Sequence, residues 1–169
     1  QLREVRDMGL RGIKIHPDYM GVMIDDPKML QMIGCASELG LAICIHAGVD
    51  IGLPDKVHCP PERSARMLQD VRPCKCILAH MGGWEQWKEV EELLIGLDVW
   101  LDTSMSRRFL APEDMKRMIR EHGADKIVFG TDSPWGGQAE EIAFMRELGL
   151  DREEEEKIFS GNARMLLGM

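Results

Sequence analysis

Long apolar runs are missing from this chain of 169 residues, the longest being short stretches such as Leu41 to Ile45. A membrane-spanning helix needs roughly 18 to 20 apolar residues in a row, so a membrane partner is not expected. Also missing is any basic stripe that could follow a phosphate backbone: 29 acidic side chains outweigh 21 basic ones, for a formal charge of −8, and nucleic acid is excluded as an expected partner. No C-x-x-C pair occurs, only Cys74-x-Cys76, and the cysteines (Cys35, Cys44, Cys59, Cys74, Cys76) number five. An odd, irregular set argues against a disulfide framework and a structural zinc knuckle and for a reduced, cytoplasmic setting. No Met stands at position 1, where the chain has Gln1. The sequence therefore reads as processed or as starting inside a longer polypeptide, with a targeting segment left open.

What is present fits one globular α/β domain spanning residues 1–169. At 44% hydrophobic content the chain can bury a core, and nothing in it suggests a coiled coil, collagen or disorder. Short apolar runs alternate with longer amphipathic ones, the rhythm of βα units feeding a parallel sheet. Strands are predicted at Gly12 to His16, Leu41 to His46, Lys75 to His80, Val99 to Thr103 and Lys126 to Thr131. Helices are predicted at Lys28 to Leu39, Glu62 to Leu68, Glu85 to Ile95, Pro112 to His122, Gln138 to Leu148 and Arg152 to Leu167, the last broken near Gly161. Eight such units would make a (β/α) barrel of about 250 residues. Five strands correspond to its C-terminal part, about strands 4 to 8, with three units absent on the N-terminal side. The alternative is an open doubly wound sheet, but the G-x-G-x-x-G turn that often marks one is absent.

Three strands end in residues with metal-ligand chemistry: His46 closes LAICIH, His80 closes CILAH, and Asp132 follows IVFGT. In a parallel barrel the C-terminal strand ends converge on one rim, so these side chains are expected to meet. Alternation predicts that Cys44 and His46 share the inner face, and likewise Leu78 with His80 and Val128 with Asp132. Imidazoles and a carboxylate suit a divalent metal ion, zinc foremost, which brings the pKa of a bound water toward 7. A neighbouring carboxylate could take that proton and pass it to a leaving group.

The segments GIKIHP, ICIHAG, ILAHMGG, WLDTS, VFGTDSPWG and GNARMLLG resemble successive motifs of the amidohydrolase-2 family. That family consists of metal-dependent TIM-barrel hydrolases and aminocarboxymuconate-semialdehyde decarboxylase-like enzymes. The resemblance implies a TIM barrel covered from strand 4 to the closing helix. It implies that His46 is the strand-5 metal ligand, that Asp132 is the strand-8 aspartate binding metal and handling the proton, and that His80 is the strand-6 histidine that polarises substrate, orients water or binds a second metal. The family's strand-1 His-x-His has no counterpart in this sequence.

His16, His58 and Arg107 are candidate substrate contacts. His16 shares strand parity with Lys14, His58 lies in the rim loop Val49 to Pro60, and Arg107, followed by Arg108, could clamp a carboxylate. Trp135 either walls the pocket or caps the barrel. His122, at a helix C-terminus on the opposite rim, reads as a structural cation facing the helix dipole. The expected activity is hydrolysis of a small amide, lactone or ester by metal-activated water. Its alternatives are decarboxylation of a small carboxylated substrate, and a catalytically silent fragment that needs its N-terminal part. The expected partner is a small molecule, with a homo-oligomer or a missing N-terminal segment as the protein partner.

Overall fold

The computed structural model describes residues 1–169. Strands β1 (Gly12–Ile15), β2 (Ala42–Ile45), β3 (Cys76–Leu78), β4 (Trp100–Asp102) and β5 (Ile127–Val128) form one sheet in chain order, and every neighbouring pair is parallel. Around them run helices α1 (Leu2–Asp7), α2 (Pro17–Met20), α3 (Pro27–Glu38), α4 (Pro61–Val71), α5 (Trp87–Leu93), α6 (Pro112–His122), α7 (Gln138–Glu147), α8 (Arg152–Glu156) and α9 (Asn162–Leu167). No helix is long and apolar enough to cross a membrane.

The register explains which face is which. Ile15 pairs with Ile45, Ile45 with Leu78, Leu78 with Leu101, and Leu101 with Ile127. This row is buried in a 29-residue core with Ile33, Met67, Met115, Ile119 and Ile158, and burial of each such side chain stabilises the fold by roughly 1.5–3 kcal/mol. The other row runs Lys14, Cys44, Ile77, Trp100. At the N-terminal strand ends this inner face is covered by Ala42, Trp100, Val128 and Leu166 of α9. Toward the C-terminal ends it carries Lys14 and Cys44, whose Nζ and Sγ lie 3.6 Å apart. All five cysteines are unpaired. Cys76 is packed in the core beside Ile43, while Cys44 looks inward, the face that alternation gives it.

Proline and acid signals set the helix starts. Pro27, Pro61 and Pro112 each occupy the first turn, and Asp26 accepts a hydrogen bond from the Lys28 amide at 2.9 Å. These prolines cost no backbone bond there. Asp151 and Glu154 form a capping box.

Four expectations need correction. Leu78 faces the helices, not the inner face, and His80 reaches the site because the chain turns there, His80 having φ +59°. The helix expected from Glu85 starts at Trp87, since Glu85 is left-handed at φ +58°. No break occurs at Gly161: a π-helical turn over Lys157–Gly161 carries α8 into α9, with Gly161 itself right-handed helical. His122 is structural but not a cation. Its Nδ1 accepts the Gly96 amide at 3.2 Å and its Nε2 bonds to the Val99 carbonyl at 2.9 Å, which defines the neutral ring, and burial lowers its pKa.

Candidate active site

Beyond the C-terminal ends of β1, β2 and β3 opens a cavity of about 490 Å³, walled in part by Lys14, His16, His46, His80, Asp132 and Trp135. His46, His80 and Asp132, far apart in sequence, thus line one space. His46 and His80 are buried, whereas Asp132 is exposed in the loop after β5 and left-handed at φ +55°.

A hydrogen-bond chain sets the protonation of both imidazoles. The Asp102 Oδ1 accepts the amides of His80 and Ser104 at 3.0 and 2.9 Å, and also the Ser104 hydroxyl. With that hydroxyl proton committed, Ser104 can only accept from His80 Nδ1, through its Oγ at 2.9 Å and its carbonyl at 3.2 Å. His80 Nδ1 therefore carries the proton and its Nε2 bears the lone pair. That lone pair lies 3.1 Å from His46 Nδ1, so the His46 Nδ1–H donates to it. The lone pair of neutral His46 is left on Nε2, which is buried and has no hydrogen-bond partner. Burial first, then the neighbouring His80 and His16 rings, lowers the His46 pKa from 6.5 to about 4. The ring stays neutral near pH 7, as a metal ligand must. Both nitrogens of His80 are engaged, so as placed it orients His46.

His16 lies at the start of α2, between two carboxylates. Its Nε2 is 3.2 Å from Asp50 Oδ2 and its Nδ1 is 3.8 Å from Asp18 Oδ2. The His46 Nε2 stands 4.0 Å from the same Asp50 oxygen. Donor atoms of His16, His46 and Asp50 all fall within 4.8 Å of one another. The His16 ring is stacked on Tyr19 at 3.9 Å and on His46 at 4.1 Å between centroids. Burial lowers the His16 pKa, opposed by Asp50 and Asp18.

The remaining expected substrate contacts sit elsewhere. His58 donates its backbone amide to Asp18 Oδ1 at 3.0 Å, and its Nδ1 lies 3.0 Å from the same oxygen. It reaches the site through Asp18 and does not line the cavity. Arg107 places its Nε 3.5 Å from the buried Glu141 of α7 and does not line the cavity either. Trp135 forms part of the wall while remaining 76% exposed. Sequence reasoning missed Asp50, Asp18, Asp102 and Ser104. The last two lie inside the WLDTS segment, while Asp18, in the single-turn helix α2, and Asp50, in a loop, follow His16 and His46 by two and four positions in stretches too short to carry a periodic signal.

A family model described as Amidohydrolase matches residues 1–169. No curated protein matches the chain. Among solved structures, a TIM-barrel protein of uncharacterised function from Bordetella bronchiseptica superposes with a TM-score of 0.78 at 22% identity, covering 99% of this chain and 60% of its own. A dihydroxybenzoic acid decarboxylase from Polaromonas sp. JS666, with bound manganese and the inhibitor 2-nitroresorcinol, gives 0.70 at 18% identity, covering 99% and 64%. A candidate 2-pyrone-4,6-dicarboxylic acid hydrolase from Pseudomonas putida gives 0.71 at 18%, covering 99% and 66%. The five-stranded parallel sheet is thus of TIM-barrel type, and this chain spans less than two thirds of the length of each of these structures.

Proposed function

We propose that this chain, which belongs to the amidohydrolase family over residues 1–169, contributes the His46, His80 and Asp132 wall of a metal-dependent hydrolase acting on a small amide, lactone or ester. The observation that carries this reading is the buried, unpartnered Nε2 of a neutral His46 in a cavity shared with Asp132. A buried lone pair without a donor is costly, and a divalent cation removes that cost. The donor chemistry fits: His46 offers imidazole nitrogen, Asp132 carboxylate oxygen, and His80 fixes the His46 tautomer and ring plane as an outer-shell partner. A divalent ion held there polarises a substrate oxygen and makes water acidic at neutral pH. Asp132 then accepts the proton of the attacking water and returns it to the leaving group. Lys14 presents an ammonium on the cavity wall with only the Cys44 thiol beside it, a place for a substrate carboxylate.

Decarboxylation is the second reading. It is favoured by the same Lys14 and by the likeness in fold to the manganese-containing dihydroxybenzoic acid decarboxylase. Zinc and manganese both suit imidazole and carboxylate donors. The test is incubation with each ion and a panel of small carboxylated lactones, amides and aromatic acids, following both hydrolysis products and carbon dioxide. Hydrolysis that is lost in Asp132→Asn supports the first reading. Carbon dioxide without hydrolysis product establishes the second, and turnover unchanged by chelation overturns both.

A further inference from the structure

We propose that His16 and Asp50 are metal ligands and, with His46, form a two-histidine, one-carboxylate site for a late first-row divalent cation carried entirely by this chain. The inference rests on the metal-dependent reading above and adds two ligands to His46; Asp132 stays the proton acceptor of that reading and is not needed as a ligand. His16 follows β1 as His46 follows β2, and opens α2, while Asp50 lies in the turn after Gly48.

The distances are those of a site waiting to close. Ligand atoms about 2.1 Å from a tetrahedral ion stand about 3.4 Å from one another. His16 Nε2 and Asp50 Oδ2 are 3.2 Å apart, His46 Nε2 is 4.0 Å from that oxygen, and the donor atoms all fall within 4.8 Å of one another, so the set reaches ligand spacing once one imidazole turns.

Each ligand is held from behind. Asp50 Oδ1 accepts the Gly52 amide at 2.8 Å, which leaves Oδ2 turned toward the two rings. His46 is fixed by His80, Ser104 and Asp102. His16 has Asp18 Oδ2 at its Nδ1, and Asp18 is itself fully buried at the side chain and anchored by His58. Neither His16 Nδ1 nor Asp18 Oδ2 has a hydrogen-bond partner, and the 3.8 Å between them leaves each as the nearest group that could satisfy the other. A proton on Nδ1 directed at Asp18 leaves the lone pair of His16 on Nε2, toward Asp50. Two imidazoles, each backed by a carboxylate directly or through a relay, match the outer-shell support that metal-bound histidines have. A plain His16–Asp50 ion pair would leave His46 Nε2 unsatisfied.

One movement is required. The His16 and His46 planes lie 11° apart, so their in-plane lone pairs run side by side. Ligation by both turns one ring about its Cβ–Cγ bond, a broad torsion in histidine. Tyr19, on the other side of His16, is 72% exposed and free to yield.

The experiment is titration of the chelator-treated 169-residue chain with zinc by calorimetry and with cobalt(II) by its visible absorption. The wild type takes up one equivalent. His16→Gln and Asp50→Asn each weaken binding at least tenfold with unchanged circular dichroism, and Asp50→Glu, which keeps the carboxylate, binds more tightly than Asp50→Asn. If His46→Gln abolishes binding while His16→Gln and Asp50→Asn stay within twofold of wild type, the two added ligands are wrong and the metal-dependent reading stands. If the wild type binds no metal, both are wrong.

Discussion

Asp102 is a small residue with a large predicted effect. Its buried carboxylate accepts the backbone amides of His80 and Ser104 and the Ser104 hydroxyl, and so pins the left-handed turn that aims His80 at His46. Hydrogen bonds to a charged group contribute about 1.5–3 kcal/mol each. Three of them make roughly 4–9 kcal/mol for Asp102→Ala, and water admitted from the neighbouring cavity brings the expected loss to the lower end, about 4 kcal/mol. Against a total stability of about 5–15 kcal/mol, that leaves the variant close to unfolding. Asp102→Asn keeps the accepting oxygen and is expected to lose only about 1–2 kcal/mol. Urea unfolding followed by circular dichroism reads the difference. At about 2 kcal/mol/M, the Asp102→Ala midpoint falls by about 2 M. An Asp102→Ala midpoint within about 0.5 M of wild type would refute the hydrogen-bond chain as the organiser of the site.

Gly48→Ala tests the approach of two chain segments. Gly48 has φ +87°, and an added Cβ would collide with the backbone of Gly83 and Trp84; stability is expected to fall by about 3 kcal/mol or more in the same urea assay. His122 gives a pH signature. Its folded pKa is depressed below 6.5 by burial, so the unfolded chain takes up a proton that the folded chain refuses. Stability from this group is complete above about pH 6.5 and declines as the pH falls below it. A His122→Gln variant should show a shallower decline over that range in unfolding midpoints measured from pH 7 to 5, and an unchanged slope would contradict the neutral, doubly bonded ring.

The strands and most helices were legible because their signals are local: apolar runs such as LAICIH and CILAH, and prolines opening α3, α4 and α6. Strand ends pointed to His46 and Asp132 on one cavity wall for a topological reason, since parallel strands deliver their C-termini to one rim. Alternation failed at His80, where a left-handed turn, invisible to a period-2 pattern, resets the direction of the side chain. Asp18 and Asp50 were illegible because a carboxylate in the single turn of α2 or in a loop carries no periodicity, and His58 and His16 become their respective neighbours only in the fold. His58 was assigned to substrate from its rim loop, and Arg107 from its place after a strand and the fork its guanidinium offers a carboxylate. Rim position does not tell that Asp18 and Glu141 face them.

The central claim is that a divalent metal binds at His46. Crystals of the chain grown with zinc and measured on both sides of the zinc absorption edge test it most directly. The account predicts an anomalous peak about 2.1 Å from His46 Nε2, with His80 still bonded to Nδ1 of the same ring. A peak confined to the cysteines or to His122, with His46 Nε2 unliganded, would contradict it.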